Sequence, residues 1–170
     1  SSATMMQVSA ILSAYSFKKF KRIIDVGGGQ GLLLAAILRR SEFSNGVIFD
    51  LKQSTSQSRS ILEKYSVLDR AEIIEGNFFE TIPGGGDMYI LKSVLHNWND
   101  ESAVRILRNV NEAMSMKSRL LIIESLINKG NLPSAGKMTD ILMMVALGGM
   151  KRTKDEYEAL LNRAGLKIRK

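Results

Sequence analysis

The 170-residue chain has no cysteine, one histidine and two prolines, and aromatic residues make up only 6% of it. Without cysteine there can be no disulfide and no thiolate zinc site. A single histidine is too few for a histidine-rich metal site, so no metal is expected. No apolar run reaches the ~18 residues needed to cross a bilayer. No charged-then-apolar leader opens the chain, and the expected location is cytoplasmic. What is present is ordinary: 45% hydrophobic residues in a length that suits one domain, residues 1–170, with a sizeable core.

The chain also has few acids for its bases, with a formal net charge of +7. Lys18, Lys19, Lys21 and Arg22 form one basic cluster. The last twenty residues form a second, with seven lysines or arginines against three acids. A nucleic-acid surface would look like this. The basic stretches contain few aromatics able to stack on bases, however, and solvated lysines at element ends are common, so nucleic acid is not an expected partner.

The most informative stretch is Asp25-Val-Gly-Gly-Gly-Gln-Gly31, between the short apolar run Arg22-Ile-Ile and the long one Leu32–Leu38. Strand, glycine turn, helix brings backbone N–H groups close to a ligand. A dinucleotide fingerprint starting at Gly27 would need glycine where Leu32 stands, and no P-loop Gly-Lys-Ser/Thr triplet exists. The spacing that fits is acidic-x-G-x-G-x-G: Asp25, Gly27, Gly29 and Gly31. It is the pattern of S-adenosylmethionine-binding methyltransferases, in which the glycines allow close approach of the methionine part. A purely structural glycine turn is the alternative. Asp50 ends the next apolar run, Gly46-Val-Ile-Phe, about 20 residues past Gly31. A carboxylate there suits the two hydroxyls of a ribose.

Elements alternate as in a parallel sheet covered by helices. Strands are predicted at 22–26, 46–50, 71–75, 87–92 and 119–126. Helices are predicted at 5–15, 31–40, 56–65, 100–115, 137–147 and 154–164. Thr153 and Glu156 make a capping box, Tyr157, Leu160, Leu161 and Ala164 one apolar face, and Gly165 a stop. Asp100 is the expected N-cap of a helix whose stripe is Val104, Leu107, Val110 and Met114. The opening Ser-Ser-Ala-Thr and the strand-like close at Lys167–Lys170 predict a piece of a longer chain, truncated at both ends. A sheet ending there would leave an open edge.

Asp87-Met-Tyr-Ile-Leu-Lys runs on into His96, which places the one imidazole of the chain beyond the carboxyl end of a strand. Ligands and chemistry collect at that edge in open α/β sheets, and histidine is the natural base near neutral pH.

With these residues in hand, the sequence resembles the plant-type and bacterial small-molecule O-methyltransferases, the caffeate, flavonoid, acetylserotonin and antibiotic-tailoring enzymes of secondary metabolism. Six landmarks occur in order: Asp-Val-Gly-Gly-Gly-x-Gly (25–31), Phe-Asp-Leu (49–51), Gly-Asn-Phe-Phe (76–79), Leu-Lys-x-x-Leu-His-x-Trp-x-Asp (91–100), Leu-Leu-Ile-Ile-Glu (120–124) and Gly-Gly-x-x-Arg-Thr (148–153). The resemblance implies the catalytic domain of a Rossmann-like class I methyltransferase, a mostly parallel sheet with helices on both faces. It implies S-adenosyl-L-methionine as cofactor, held by Asp25, Gly27, Gly28, Gly29, Asp50, Leu51, Asn77, Phe78 and Lys92. His96 is then the base that deprotonates a small-molecule hydroxyl, and Glu124 orients it. Trp98, Met143 and Met144 border the acceptor, with Met138 and Met150 in the same cluster or in the core. Family members also carry an N-terminal helical region that makes a homodimer, and this chain begins where that region normally ends.

Two positions depart from the family pattern. Asn77 stands where aspartate is usual; its side-chain carbonyl could still accept from the adenine amino group. Lys151 stands where a glutamate often flanks the base, and a cation there opposes positive charge on His96. Relatives with changed chemistry, hydroxylating, decarboxylating or inactive, are the alternative reading; they tend to lose the histidine.

Overall fold

The computed structural model describes residues 2–126 and 152–169. The predicted helix at 137–147, Met138, Met143, Met144, Met150 and Lys151 all lie outside the described residues.

Helix α1 (Ser2–Ala14) leads into β1 (Arg22–Val26), α2 (Leu32–Arg40), β2 (Asn45–Asp50), α3 (Ser58–Lys64) and β3 (Ala71–Glu75). The chain continues through β4 (Met88–Lys92), α4 (Asp100–Ala113), β5 (Arg119–Ile123) and α5 (Lys154–Arg163). Short 3-10 turns occupy Leu68–Arg70 and Leu95–Asn97. The strands form one five-stranded sheet in the order β3-β2-β1-β4-β5, every pair parallel. After β3 the chain returns to the other side of β1, so the order reverses between β1 and β4.

Alternation along each strand divides the core into two layers. Ile24, Val26, Val47, Phe49, Tyr89 and Leu91 face one side, where Val104, Leu107 and Val110 of α4 and Tyr157, Leu160 and Leu161 of α5 cover them. Ile23, Ile48, Met88 and Ile90 face the other, under Leu34, Ile37 and Leu38 of α2 and Leu62 of α3. Helices on both faces of a parallel sheet make this a doubly wound, Rossmann-like α/β architecture, as expected.

Most element boundaries follow the sequence, and the exceptions have causes. Asn99, not Asp100, is the N-cap of α4: its Oδ1 accepts from the Ser102 N–H at 2.9 Å. Asp100 is instead turned to Arg152. Strand β4 starts after Asp87, whose carboxylate accepts from the backbone N–H groups of Lys21 and Arg22 at 2.8 and 2.9 Å. Strand β5 stops at Ile123 rather than 126, because Glu124 leaves the ladder to hold the turn at 95–96. The box of Thr153 and Glu156 forms as expected, with Gly165 at φ +79°. Among the described residues no helix is long and apolar enough to cross a membrane.

Candidate functional site

In an open α/β sheet the crevice lies where the strand order reverses, outside the carboxyl ends of the strands. Here it is bordered by the glycine turn after β1, Asp50 at the end of β2, and Lys92 at the end of β4.

The glycines of the turn are not equivalent. Gly27 (φ +71°) donates its N–H to the Phe49 carbonyl at 2.8 Å, and a Cβ on it would lie 2.7 Å from Val94. Gly31 (φ +80°) faces Ile48 closely enough that a Cβ would collide with it. At both positions packing demands glycine. Gly29 (φ +55°) differs, because nothing lies within 4 Å of where its Cβ would be. That open space is what close approach of a ligand to backbone requires. Ser58 braces the turn from α3, its Oγ donating to the Gly29 carbonyl at 3.0 Å, and Gln30 Oε1 accepts from the Gln57 N–H at 2.8 Å.

Asp50 is tied to the same turn. Its Oδ2 accepts from Gly29 N–H at 2.9 Å and its Oδ1 from Leu51 N–H at 2.7 Å. Each oxygen retains a lone pair for a further donor. Leu51 beside it is 43% exposed, an apolar surface at the rim of the crevice. Asp25 lies in the strand at the centre, 2% exposed, and its carboxyl would meet a Cβ on Gly28 at 2.9 Å. Burial pushes its pKa up to about 7; the Lys92 ammonium opposes the shift and Asp50 adds to it.

Asn77 Oδ1 accepts from the Phe79 N–H at 2.9 Å. The carbonyl that could meet an adenine amino group thus already closes a local turn, with one lone pair left. Phe78, Phe79 and Trp98 form an edge-to-face cluster, with Phe79 and Trp98 4.7 Å apart at 88°. Trp98 packs partly buried on these rings, against the core layer under α4.

On the other side of the crevice, Ser93 takes a left-handed conformation (φ +55°) and its N–H donates to the Ile123 carbonyl at 2.9 Å. The chain swings off β4 into the 3-10 turn that carries His96. Imidazole Nδ1 lies 2.6 Å from Glu124 Oε2, with the two side chains 14% and 2% exposed. Glu124 Oε1 also accepts from the backbone N–H groups of Leu95 and His96, at 2.9 and 3.4 Å. A carboxylate on Nδ1 holds the proton there and leaves Nε2 as the basic nitrogen.

The structure thus brings together Asp25, Gly27–Gly29, Asp50, Leu51 and Lys92 around the crevice, and His96 with Glu124 at its edge. A cleft of about 660 Å³ runs along β5, walled by Leu120, Ile122, Glu124 and Tyr157, and none of the glycines, Asp50 or Lys92 lines it. Sequence reasoning missed three supports: Ser58, which carries no local signal; Ser93; and Arg152. Arg152 was visible only as a letter of the Arg-Thr landmark.

An O-methyltransferase domain family model matches residues 1–167. Mitomycin biosynthesis 6-O-methyltransferase of Streptomyces lavendulae is 38% identical over 168 residues, 98% of this chain and 48% of the relative. Phenazine O-methyltransferase of Lysobacter antibioticus is 38% identical over 97% of this chain and 48% of its own length. The chain therefore spans about half the length of these relatives. Among solved structures, a neocarzinostatin-biosynthesis O-methyltransferase in complex with S-adenosyl-L-homocysteine and 1,4-dihydroxy-2-naphthoic acid superposes with a TM-score of 0.87 at 34% identity. That match covers 95% of this chain and 48% of the other.

Proposed function

The chain belongs to the O-methyltransferase domain family, and we propose that it supplies the donor site and the base of an enzyme that methylates a hydroxyl of a small aromatic or polyketide-type metabolite. The observation that carries the reading is the pairing of His96 Nδ1 with buried Glu124 at 2.6 Å, at the edge of a crevice bordered by an open glycine turn and a strand-end carboxylate.

The residues present fit S-adenosyl-L-methionine. Open backbone at Gly29 accommodates the methionine part, and Asp50 offers two acceptors to the ribose diol. Leu51 and Phe78 supply apolar surface beside the adenine. When bound, the donor supplies a methyl group on a positively charged sulfur, already activated for displacement. The chain's own task is then placement and removal of one proton. Nε2 of His96 would take the hydroxyl proton, freeing the acceptor oxygen to receive the methyl group. Glu124 stabilises the charge that this leaves on the ring.

The same reading makes the whole enzyme a cytoplasmic homodimer with a small-molecule acceptor and no nucleic-acid partner. Its test is titration of the chain with S-adenosylhomocysteine by calorimetry, followed by a screen of phenolic acceptors with the whole enzyme. Saturable donor-site binding and methyl transfer to oxygen are expected. No binding at millimolar product would overturn the reading.

A further inference from the structure

Arg152 is the largest fully buried side chain among the described residues, 2% exposed at the residue before the α5 capping box. Its guanidinium does more than join two helices. Nε donates to Asp100 Oδ1 at 2.9 Å, one terminal nitrogen to the Leu95 carbonyl at 3.0 Å, and the other to the Trp98 carbonyl at 2.7 Å. Leu95 opens the 3-10 turn that carries His96, and Trp98 closes it. Glu124 meanwhile takes the N–H groups of Leu95 and His96. One carboxylate grips the turn by its donors and one guanidinium by its acceptors.

Only a planar fork with donors on several nitrogens can span both carbonyls and the Asp100 carboxylate together. Asp100, which shares this guanidinium, has its side chain 53% exposed, so that pairing gives little reason to bury the guanidinium. Two carbonyls of the 95–98 turn do. We propose that Arg152 is a positioning residue for His96: it fixes the turn so that Nδ1 stays on Glu124 and Nε2 faces the crevice. The consequence for turnover rests on the methyl-transfer reading; the effect on the imidazole does not.

Because His96 is the chain's one histidine, a long-range ¹H–¹⁵N spectrum of the uniformly labelled, untagged 170-residue chain reads this imidazole and no other. In the neutral ring of the wild type, the proton sits on Nδ1. In Arg152→Met it exchanges between Nδ1 and Nε2, giving averaged nitrogen shifts, and Arg152→Lys gives an intermediate pattern. Asp100→Asn, which keeps the acceptor oxygen, leaves the wild-type pattern. In the whole enzyme, Arg152→Lys lowers kcat by about 10- to 100-fold, as for a misplaced catalytic group. Its S-adenosylhomocysteine affinity falls by far less than kcat, since the clamp reaches the donor contacts only through the Trp98 ring on Phe78. A folded Arg152→Met chain with the wild-type imidazole pattern would overturn the proposal. Should that variant not fold, the same pattern in Arg152→Lys overturns it. So does an Asp100→Asn pattern as averaged as that of Arg152→Met. Failure of the wild type to bind S-adenosylhomocysteine would count against the methyl-transfer reading and leave the imidazole result standing.

Discussion

Gly29 donates its backbone N–H to Asp50 Oδ2 at 2.9 Å, so the carboxylate proposed to hold the ribose also holds the turn proposed to meet the methionine part. The two halves of the donor site share one hydrogen bond. Asp50→Ala should therefore weaken S-adenosylhomocysteine binding by about 2 kcal/mol, since a charge-assisted contact to the diol is lost and the turn is loosened. Asp50→Asn, which can keep one acceptor for Gly29, should lose less. Calorimetry decides; equal affinity in the alanine variant would take Asp50 out of the site.

His96→Ala in the whole enzyme should lower turnover by ~10²–10⁴-fold, the contribution of a positioned base. Donor affinity should hardly change, because the base acts on the acceptor. Near-normal turnover at pH 7 would remove the general-base role. A variant that also lost donor binding would point instead to collapse of the 95–97 turn.

Asp25 makes the stability of the chain depend on pH. Its carboxyl is raised from 3.8 to about 7, chiefly by burial. Between those values the folded chain holds a proton that the unfolded chain releases, so the contribution of Asp25 to stability is greatest at acid pH and falls as pH rises from about 4 to about 7. The change is on the order of a few kcal/mol. Asp25→Asn, neutral throughout, should flatten this slope and melt above the wild type at pH 8. Thermal melts at pH 5 and pH 8 test it, and parallel pH curves for the two proteins would refute it.

Asn77 spends its side-chain carbonyl on the Phe79 N–H at 2.9 Å. Asn77→Asp would keep that bond and add a second acceptor in place of an amide donor. Donor affinity should then rise by about 1 kcal/mol, the net worth of one hydrogen bond. Unchanged or weaker binding of S-adenosylhomocysteine would show that position 77 does not meet the adenine amino group.

Much of this was legible in the chain because the signals are local. Apolar runs separated by turn residues mark the strands, and the box of Thr153 with Glu156 acts within one helical turn. The site was legible where a motif places a residue at a strand end, as with Gly27–Gly31, Asp50 and His96. What could not be read depends on partners far away in sequence. Asn99 and Asp100 are both capable N-caps, and a guanidinium 52 residues beyond Asp100 decides between them. The end of β5 is set by amide groups 28 and 29 residues back. No local rule foretells the left-handed Ser93, a position that only the meeting of β4, β5 and the turn imposes.

Glu124 and Arg152 both grip Leu95, one by its N–H and the other by its carbonyl. The 27 residues numbered 125–151 thus depart from and return to a common anchor, whatever their own sequence. Lengthening the chain between two fixed anchors is inexpensive in closure entropy, about 0.6 kcal/mol for each doubling of a flexible loop. Insertions, deletions and wholesale substitutions between the two anchors can accumulate in descendants of this chain while the mount of the imidazole stays as it is. Change between the two anchors and the mounting of the base are thereby separated.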